Sequence, residues 1–147
     1  MKIALACSAG GHLTEIRQLE PLYRKRRHFF VTFRRDDSKE LGEKAYFLDD
    51  PKRSPARALR NVLQSIRVFL RERPDMVITT GAGVAVPFSI ISKLFRKRVV
   101  YIESYCRIRQ PSLTGRLLYP FADLFLVQWE ELLQEYGPKA RCWGRLL

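Results

Sequence analysis

The sequence predicts an α/β fold: a three-layer α/β/α domain built on a mainly parallel sheet. Short apolar runs alternate with helix-patterned stretches along the whole chain. Two of those runs, Lys2 to Cys7 (KIALAC) and Met76 to Thr80 (MVITT), pass straight into a glycine turn and then a helix. No repeat, low-complexity tract or linker divides residues 1–147, so one domain is expected over the full length.

The elements follow in order. After Lys2 to Cys7 and the turn Ser8-Ala9-Gly10-Gly11-His12, a helix begins near Leu13 with Leu13, Ile16 and Leu19 on one side, and Pro21 ends or kinks it. The basic cluster Arg24 to Arg27 leads into a second strand, His28 to Phe33. Arg34 to Asp37 reads as a polar loop and Ala45 to Leu48 as a short strand. Ser54-Pro55 supplies a cap and a first-turn proline for a helix reaching Arg73. Its apolar residues Leu59, Val62, Leu63, Ile66 and Phe69 form a stripe expected to pack on the sheet, while Arg60, Gln64, Arg67 and Arg71 line another face. Beyond Met76 to Thr80 and Gly81-Ala82-Gly83 come a helix from Val84 to about Phe95, a strand at Val99 to Glu103 and a loop from Ser104 to Pro111. A helix near Leu113 to Phe121, a strand at Asp123 to Val127 and a short helix near Glu130 to Tyr136 complete the pattern. The terminal residues 139–147 either complete the sheet or dock a partner.

Composition narrows the class. With 46% hydrophobic residues the chain can bury a core, and no run approaches the roughly 20 apolar residues that span a bilayer. Cys7, Cys106 and Cys142 form neither a disulfide framework nor a metal-ligand spacing, which suits a reducing cytoplasm. The run before Cys7 is too short for a signal peptide. Lys and Arg number 27 against 15 Asp and Glu, a net charge of +12 that favours a polyanion, an anionic membrane surface or an acidic partner.

Parallel strands deliver their carboxyl ends to one rim, where Ser8 to His12, Gly81 to Gly83 and Glu103 to Arg109 should meet. Backbone N–H groups at two helix starts, with Arg107 and Arg109, suit a phosphate or diphosphate. His12 and Glu103 are the candidates for acid–base chemistry on a hydroxyl placed between them. Each has a plainer reading: the glycines merely permit a turn that His12 caps, backbone N–H groups satisfy Glu103, and the arginines make a subunit contact. Arg60, Arg67 and Arg71 are expected to face anionic lipid. The dinucleotide pattern G-x-G-x-x-G is absent, and no acidic residue ends the second strand. A basic nucleic-acid-binding domain would explain the charge equally well, but no helix-turn-helix, RNP or zinc pattern supports it, so nucleic acid is not expected as a partner.

Longer motifs carry a family resemblance. The turns Gly-Gly-His-Leu-Thr-Glu (10–15) and Gly-Ala-Gly-Val-Ala-Val-Pro (81–87), with Tyr101 to Arg107, Ser112 to Asp123 and Val127-Gln128-Trp129, resemble the membrane-recruiting subunit of the two-subunit UDP-N-acetylglucosamine transferase of dolichol-linked oligosaccharide synthesis. They resemble still more its bacterial PssD-type counterparts in exopolysaccharide and capsule assembly. The resemblance implies a Rossmann-like domain equivalent to the amino-terminal half of a GT-B glycosyltransferase. In single-chain relatives of the MurG type that half binds the lipid-diphosphate acceptor at the membrane. Carried onto this chain, Gly10, Gly11, His12, Gly81, Gly83, Arg107 and Arg109 correspond to the acceptor-diphosphate site. The implied partners are a catalytic GT-B carboxyl-half subunit, a polyprenyl-diphosphate-linked sugar and an anionic membrane surface, with no cofactor and no metal. Eukaryotic members begin with a membrane-spanning segment, whereas Lys2 here already opens the first strand. Peripheral attachment to the inner face of the plasma membrane is therefore expected, with a pure membrane scaffold as the rival reading.

Overall fold

The computed structural model describes all 147 residues. Seven strands form one sheet in the order β3-β2-β1-β4-β5-β6-β7, and every neighbouring pair is parallel. They are β1 (Lys2–Ala6), β2 (Arg27–Thr32), β3 (Ala45–Phe47), β4 (Met76–Thr79), β5 (Arg98–Ile102), β6 (Leu124–Val127) and β7 (Ala140–Cys142). The residues left open at the carboxyl end therefore complete the sheet through β7. The chain runs outward from β1 to β3, crosses back and runs outward again from β4 to β7. This reversal opens a crevice between the carboxyl ends of β1 and β4.

Helices α1 (Gly11–Arg17), α2 (Glu20–Tyr23) and α3 (Asp36–Lys39) cover one face of the sheet. Leu13, Ile16 and Tyr23 pack there on Ile3, Leu5 and Phe30. Pro21 lies in the first turn of α2 and separates it from α1, as expected of a residue lacking a backbone donor. The other face carries α4 (Pro55–Glu72), a 3₁₀ turn at Gly83–Ala85, α5 (Val86–Leu94), α6 (Leu113–Leu118) and α7 (Glu131–Tyr136). Phe69, Val84 and Phe88 meet Phe29, Val31 and Val77, while Leu118 and Leu132 meet Tyr101 and Phe125.

Two elements depart from expectation. The loop read at Arg34 to Asp37 enters α3, because the Ser38 hydroxyl accepts the Arg35 N–H at 2.8 Å and bonds back to the Phe33 and Arg35 carbonyls. Helix α4 has the expected span, with Ser54 capping and Arg73 left-handed at φ 45° before Pro74, but it is turned on its axis. Asn61, Ser65, Val68, Phe69 and Glu72 face inward, and Leu59, Leu63, Ile66 and Leu70 face outward. The expected packing stripe is thus displaced by roughly a third of a turn at about 100° per residue. The cause is a polar lock: the Asn61 amide donates to the carbonyls of Asp49 (2.8 Å) and Val84 (3.2 Å), and Ser65 donates to Asn61 (3.1 Å).

At the amino edge, buried Glu72 accepts from Lys2 (3.1 Å), Lys44 (2.5 Å) and the Tyr46 hydroxyl. Burial alone would raise its pKa, but these hydrogen bonds outweigh it and hold the carboxyl at about 2. A depressed carboxylate stabilises the fold fully above its unfolded pKa and loses that contribution as pH falls from about 4.5 towards 2. Glu72→Gln is therefore expected to lower the melting temperature by about 5 °C at pH 7, with the gap from the parent closing by pH 2. Paired thermal melts across pH 2–7 check this.

Candidate functional site

The loops after β1, β4 and β5 meet at the carboxyl rim, as the topology requires. They line a cleft of about 430 Å³ whose walls include Gly11, His12, Glu15, Ala82, Glu103 and Arg107. Its second wall runs from Ser112 to Thr114, at the start of α6.

Gly10 adopts φ 84°, a conformation open to glycine at little cost, and turns the chain from β1 into α1. Its N–H, expected to face a ligand, instead donates to the Asp37 carboxylate at 2.5 Å, because α3 brings that side chain over the turn. Gly11 opens α1, and a side chain built there would meet nothing within 4 Å. His12 borders the cleft. Its backbone carbonyl is fixed by the Thr80 hydroxyl at 3.0 Å, while its ring Nδ1 is covered and has no hydrogen-bond partner. An unpartnered covered nitrogen costs about 1–3 kcal/mol.

The second turn is arranged differently from its sequence reading. Gly81 stands at φ 100° behind the wall, its N–H held by the Thr79 hydroxyl at 3.0 Å. A Cβ there would approach the Tyr101 hydroxyl at 3.2 Å. Gly83 opens the 3₁₀ turn outside the cleft, and Ala82, with φ 76°, takes the lining position. Left-handed backbone at a residue bearing a Cβ is strain of the kind that gathers at binding sites.

Glu103 is fully buried and accepts from five donors. Oε1 takes the Tyr101 hydroxyl and the Ser104 N–H, each at 3.0 Å. Oε2 takes the Ser112 N–H (3.1 Å), the Ser112 hydroxyl (2.9 Å) and the Tyr136 hydroxyl. A carboxylate offers about four lone-pair sites, so none is left to take a substrate proton. The general-base role expected for Glu103 is therefore replaced by a bracing one: it joins the 103–112 loop to β5 and α7. Burial, and then the charge of Glu103, push the Tyr101 phenol well above its ordinary value. Tyr136 is raised likewise by burial and by its bond to Glu103.

A second buried carboxylate went unrecognised as a site residue. Glu15 accepts from the Ser104 hydroxyl (2.8 Å), the Tyr105 N–H (3.2 Å) and the Gln128 amide (2.9 Å), fastening α1 to the loop after β5. Its signal in the sequence was its place one helical turn beyond His12, on the same face of α1. Of the two loop arginines, exposed Arg107 borders the cleft. Arg109 lies outside it, in an adjoining depression with Ile108 and Gln110. Arg60, Arg67 and Arg71 lie along α4 and do not line this cleft; they are exposed and without ion pairs. Arg60 borders a separate cleft with Arg34, Asp49 and Arg57.

A family model described as "Oligosaccharide biosynthesis protein Alg14 like" matches residues 49–146. The chain belongs to the Alg14 family. The UDP-N-acetylglucosamine transferase subunit ALG14 of Candida glabrata is 30% identical, over 95% of this chain and 75% of that protein. The subunit of the same name from Eremothecium gossypii is 41% identical over 65% of this chain and 46% of its own length. For the human subunit the figures are 33%, 60% and 44%. The chain thus spans under half the length of several Alg14 relatives it matches. Among solved structures, Acinetobacter baumannii MurG superposes with a TM-score of 0.73 at 14% identity, over 89% of this chain and 43% of MurG. The UDP-N-acetylglucosamine 2-epimerase of Rickettsia bellii superposes at 0.77 and 14%, over 99% of this chain and 45% of the epimerase. These likenesses show that this Alg14 chain has the α/β, Rossmann-like fold of about half of each of those proteins.

Proposed function

We propose that this Alg14 chain is the acceptor-binding and membrane-recruiting subunit of a two-subunit UDP-sugar glycosyltransferase, acting on a polyprenyl-diphosphate-linked glycan at the inner face of the plasma membrane. Its partner in this reading is a catalytic GT-B carboxyl-half subunit that holds the nucleotide sugar. The relatives named above are eukaryotic transferase subunits, and the bacterial exopolysaccharide or capsule setting rests on the PssD-type motifs alone. The observation that carries the reading is the cleft at the β1/β4 crevice, which His12 and Arg107 both line.

Arg107 offsets the charge of the acceptor diphosphate, with the unpaired first-turn N–H groups of α1 beside it. His12 orients the acceptor hydroxyl. As that oxygen bonds to the anomeric carbon and the bond to the departing nucleoside diphosphate breaks, the imidazole can receive the hydroxyl proton. Glu15 and Glu103 do no chemistry; they hold the wall in place.

The test is sugar transfer by the reconstituted two-subunit complex. His12→Ala is expected to lower kcat about 100-fold with complex formation unchanged. Gly11→Val, placed where a side chain has open space, is expected to raise the KM for acceptor about tenfold by narrowing the cleft mouth. A pure scaffold would show full transfer in both variants.

A further inference from the structure

Helix α4 leaves its apolar residues in solvent. Leu59, Leu63, Ile66 and Leu70 recur at i, i+4, i+7 and i+11, so they form one line, and they are 60, 57, 37 and 50% exposed. On one side of that line Phe69 stacks on half-exposed Phe95 at 4.7 Å, and Leu94, 71% exposed, follows the same edge. On the other side stand Arg60, Arg67 and Arg71, none of them paired with a carboxylate. Residues 55–71 contain no acidic side chain, and Phe95 is followed by Arg96-Lys97-Arg98.

An apolar ridge bordered by unpaired cations, on a helix segment with no acidic side chain, is complementary to a fluid surface that offers anionic phosphates above hydrocarbon. We propose that this ridge inserts into the interfacial layer of an anionic phospholipid bilayer, with Leu59, Leu63, Ile66, Leu70 and Phe95 among the upper acyl methylenes and Arg60, Arg67 and Arg71 at the headgroup phosphates. The inference refines the expectation that Arg60, Arg67 and Arg71 face anionic lipid: they steer, and the leucines hold. It also rests on the acceptor-side reading in one respect. In a parallel α/β domain the helices lie roughly along the strands, so a helix lying flat on the bilayer sets the strands along the membrane plane, and the rim cleft then opens along the surface where a lipid-linked acceptor travels. No helix of the chain is long and apolar enough to cross a membrane, so this contact is interfacial.

The test uses the full chain and vesicles of phosphatidylcholine with or without phosphatidylglycerol, free of polyprenyl lipid. The chain is expected to sediment with the phosphatidylglycerol vesicles. The double variant Leu63→Gln/Ile66→Gln is expected to lose about tenfold or more in partition coefficient while keeping its melting temperature, because both side chains are already exposed. Arg67→Gln/Arg71→Gln should reduce binding and flatten its salt dependence. Leu63→Trp should show, relative to the parent, an emission shift to shorter wavelength that brominated acyl chains quench. Vesicle binding unchanged in the leucine variant would overturn insertion. So would a dimer in solution that the leucine variant makes monomeric, which would assign the ridge to a second copy. Because the vesicles carry no acceptor, failure here leaves the cleft reading standing, and an inactive cleft leaves vesicle binding unchanged.

Discussion

Gly115→Ala is expected to lower the melting temperature by about 10 °C, although alanine is favoured over glycine inside a helix by about 1 kcal/mol. Gly115 lies buried in α6, where that helix passes over the Glu103 brace. A Cβ there would stand 1.9 Å from the Tyr136 hydroxyl and 2.6 Å from Glu103 Oε2. Both groups are held by their neighbours. Tyr136 is stacked on Tyr119 at 5.8 Å and tilted against Phe125 at 4.5 Å, and Glu103 is held by its other donors. Breaking the Tyr136–Glu103 bond while overpacking the junction should cost about 3–5 kcal/mol. Thermal melts of the two proteins decide it. An unchanged melting temperature would mean that α7 moves away freely and that Glu103 does not depend on it.

Glu103→Gln separates bracing from proton transfer. An amide in that pocket turns its NH₂ towards donors whichever way it is placed: towards the Tyr101 hydroxyl and Ser104 N–H, or towards Ser112 and Tyr136. At least one buried donor loses its acceptor, and the expected loss of stability is about 2–4 kcal/mol. The 103–112 loop should loosen with it, read as faster hydrogen exchange at the Ser104 and Ser112 amides. The Tyr136 phenol should titrate lower than in the parent, because the carboxylate that helps raise it is gone. Transfer lost with stability and exchange unchanged would restore the acid–base role that the hydrogen-bond pattern argues against.

The strands and glycine turns were legible in the sequence because each uses a local signal: a short β-branched or apolar run, then a glycine that the chain needs at a sharp turn. The convergence of three loops followed from parallel connectivity alone. What the sequence hid were choices made by long-range polar contacts. Periodicity marks α4 as amphipathic but does not say which side meets the sheet; Asn61, reaching the carbonyls of Asp49 and Val84, decides that. Gly10 has the expected backbone, yet Asp37, 27 residues later, takes its N–H. Glu103 and Glu15 carry no local mark of burial. Their donors come from residues up to 33 positions away in one case and up to 113 in the other.

The two borders of the sheet are short. Strands β3 and β7, which form its borders, have three residues each, and β7 presents exposed Arg141 at its middle. A polypeptide that tried to lengthen the sheet by lying alongside either border would find about one turn's worth of backbone groups to pair with, beside a charge. Assembly with the proposed partner subunit is therefore expected to proceed by the packing of side chains on the rim or a broad face. Such a contact can be remodelled one residue at a time without disturbing a single main-chain ladder, which leaves affinity for the partner free to change while the fold stays fixed.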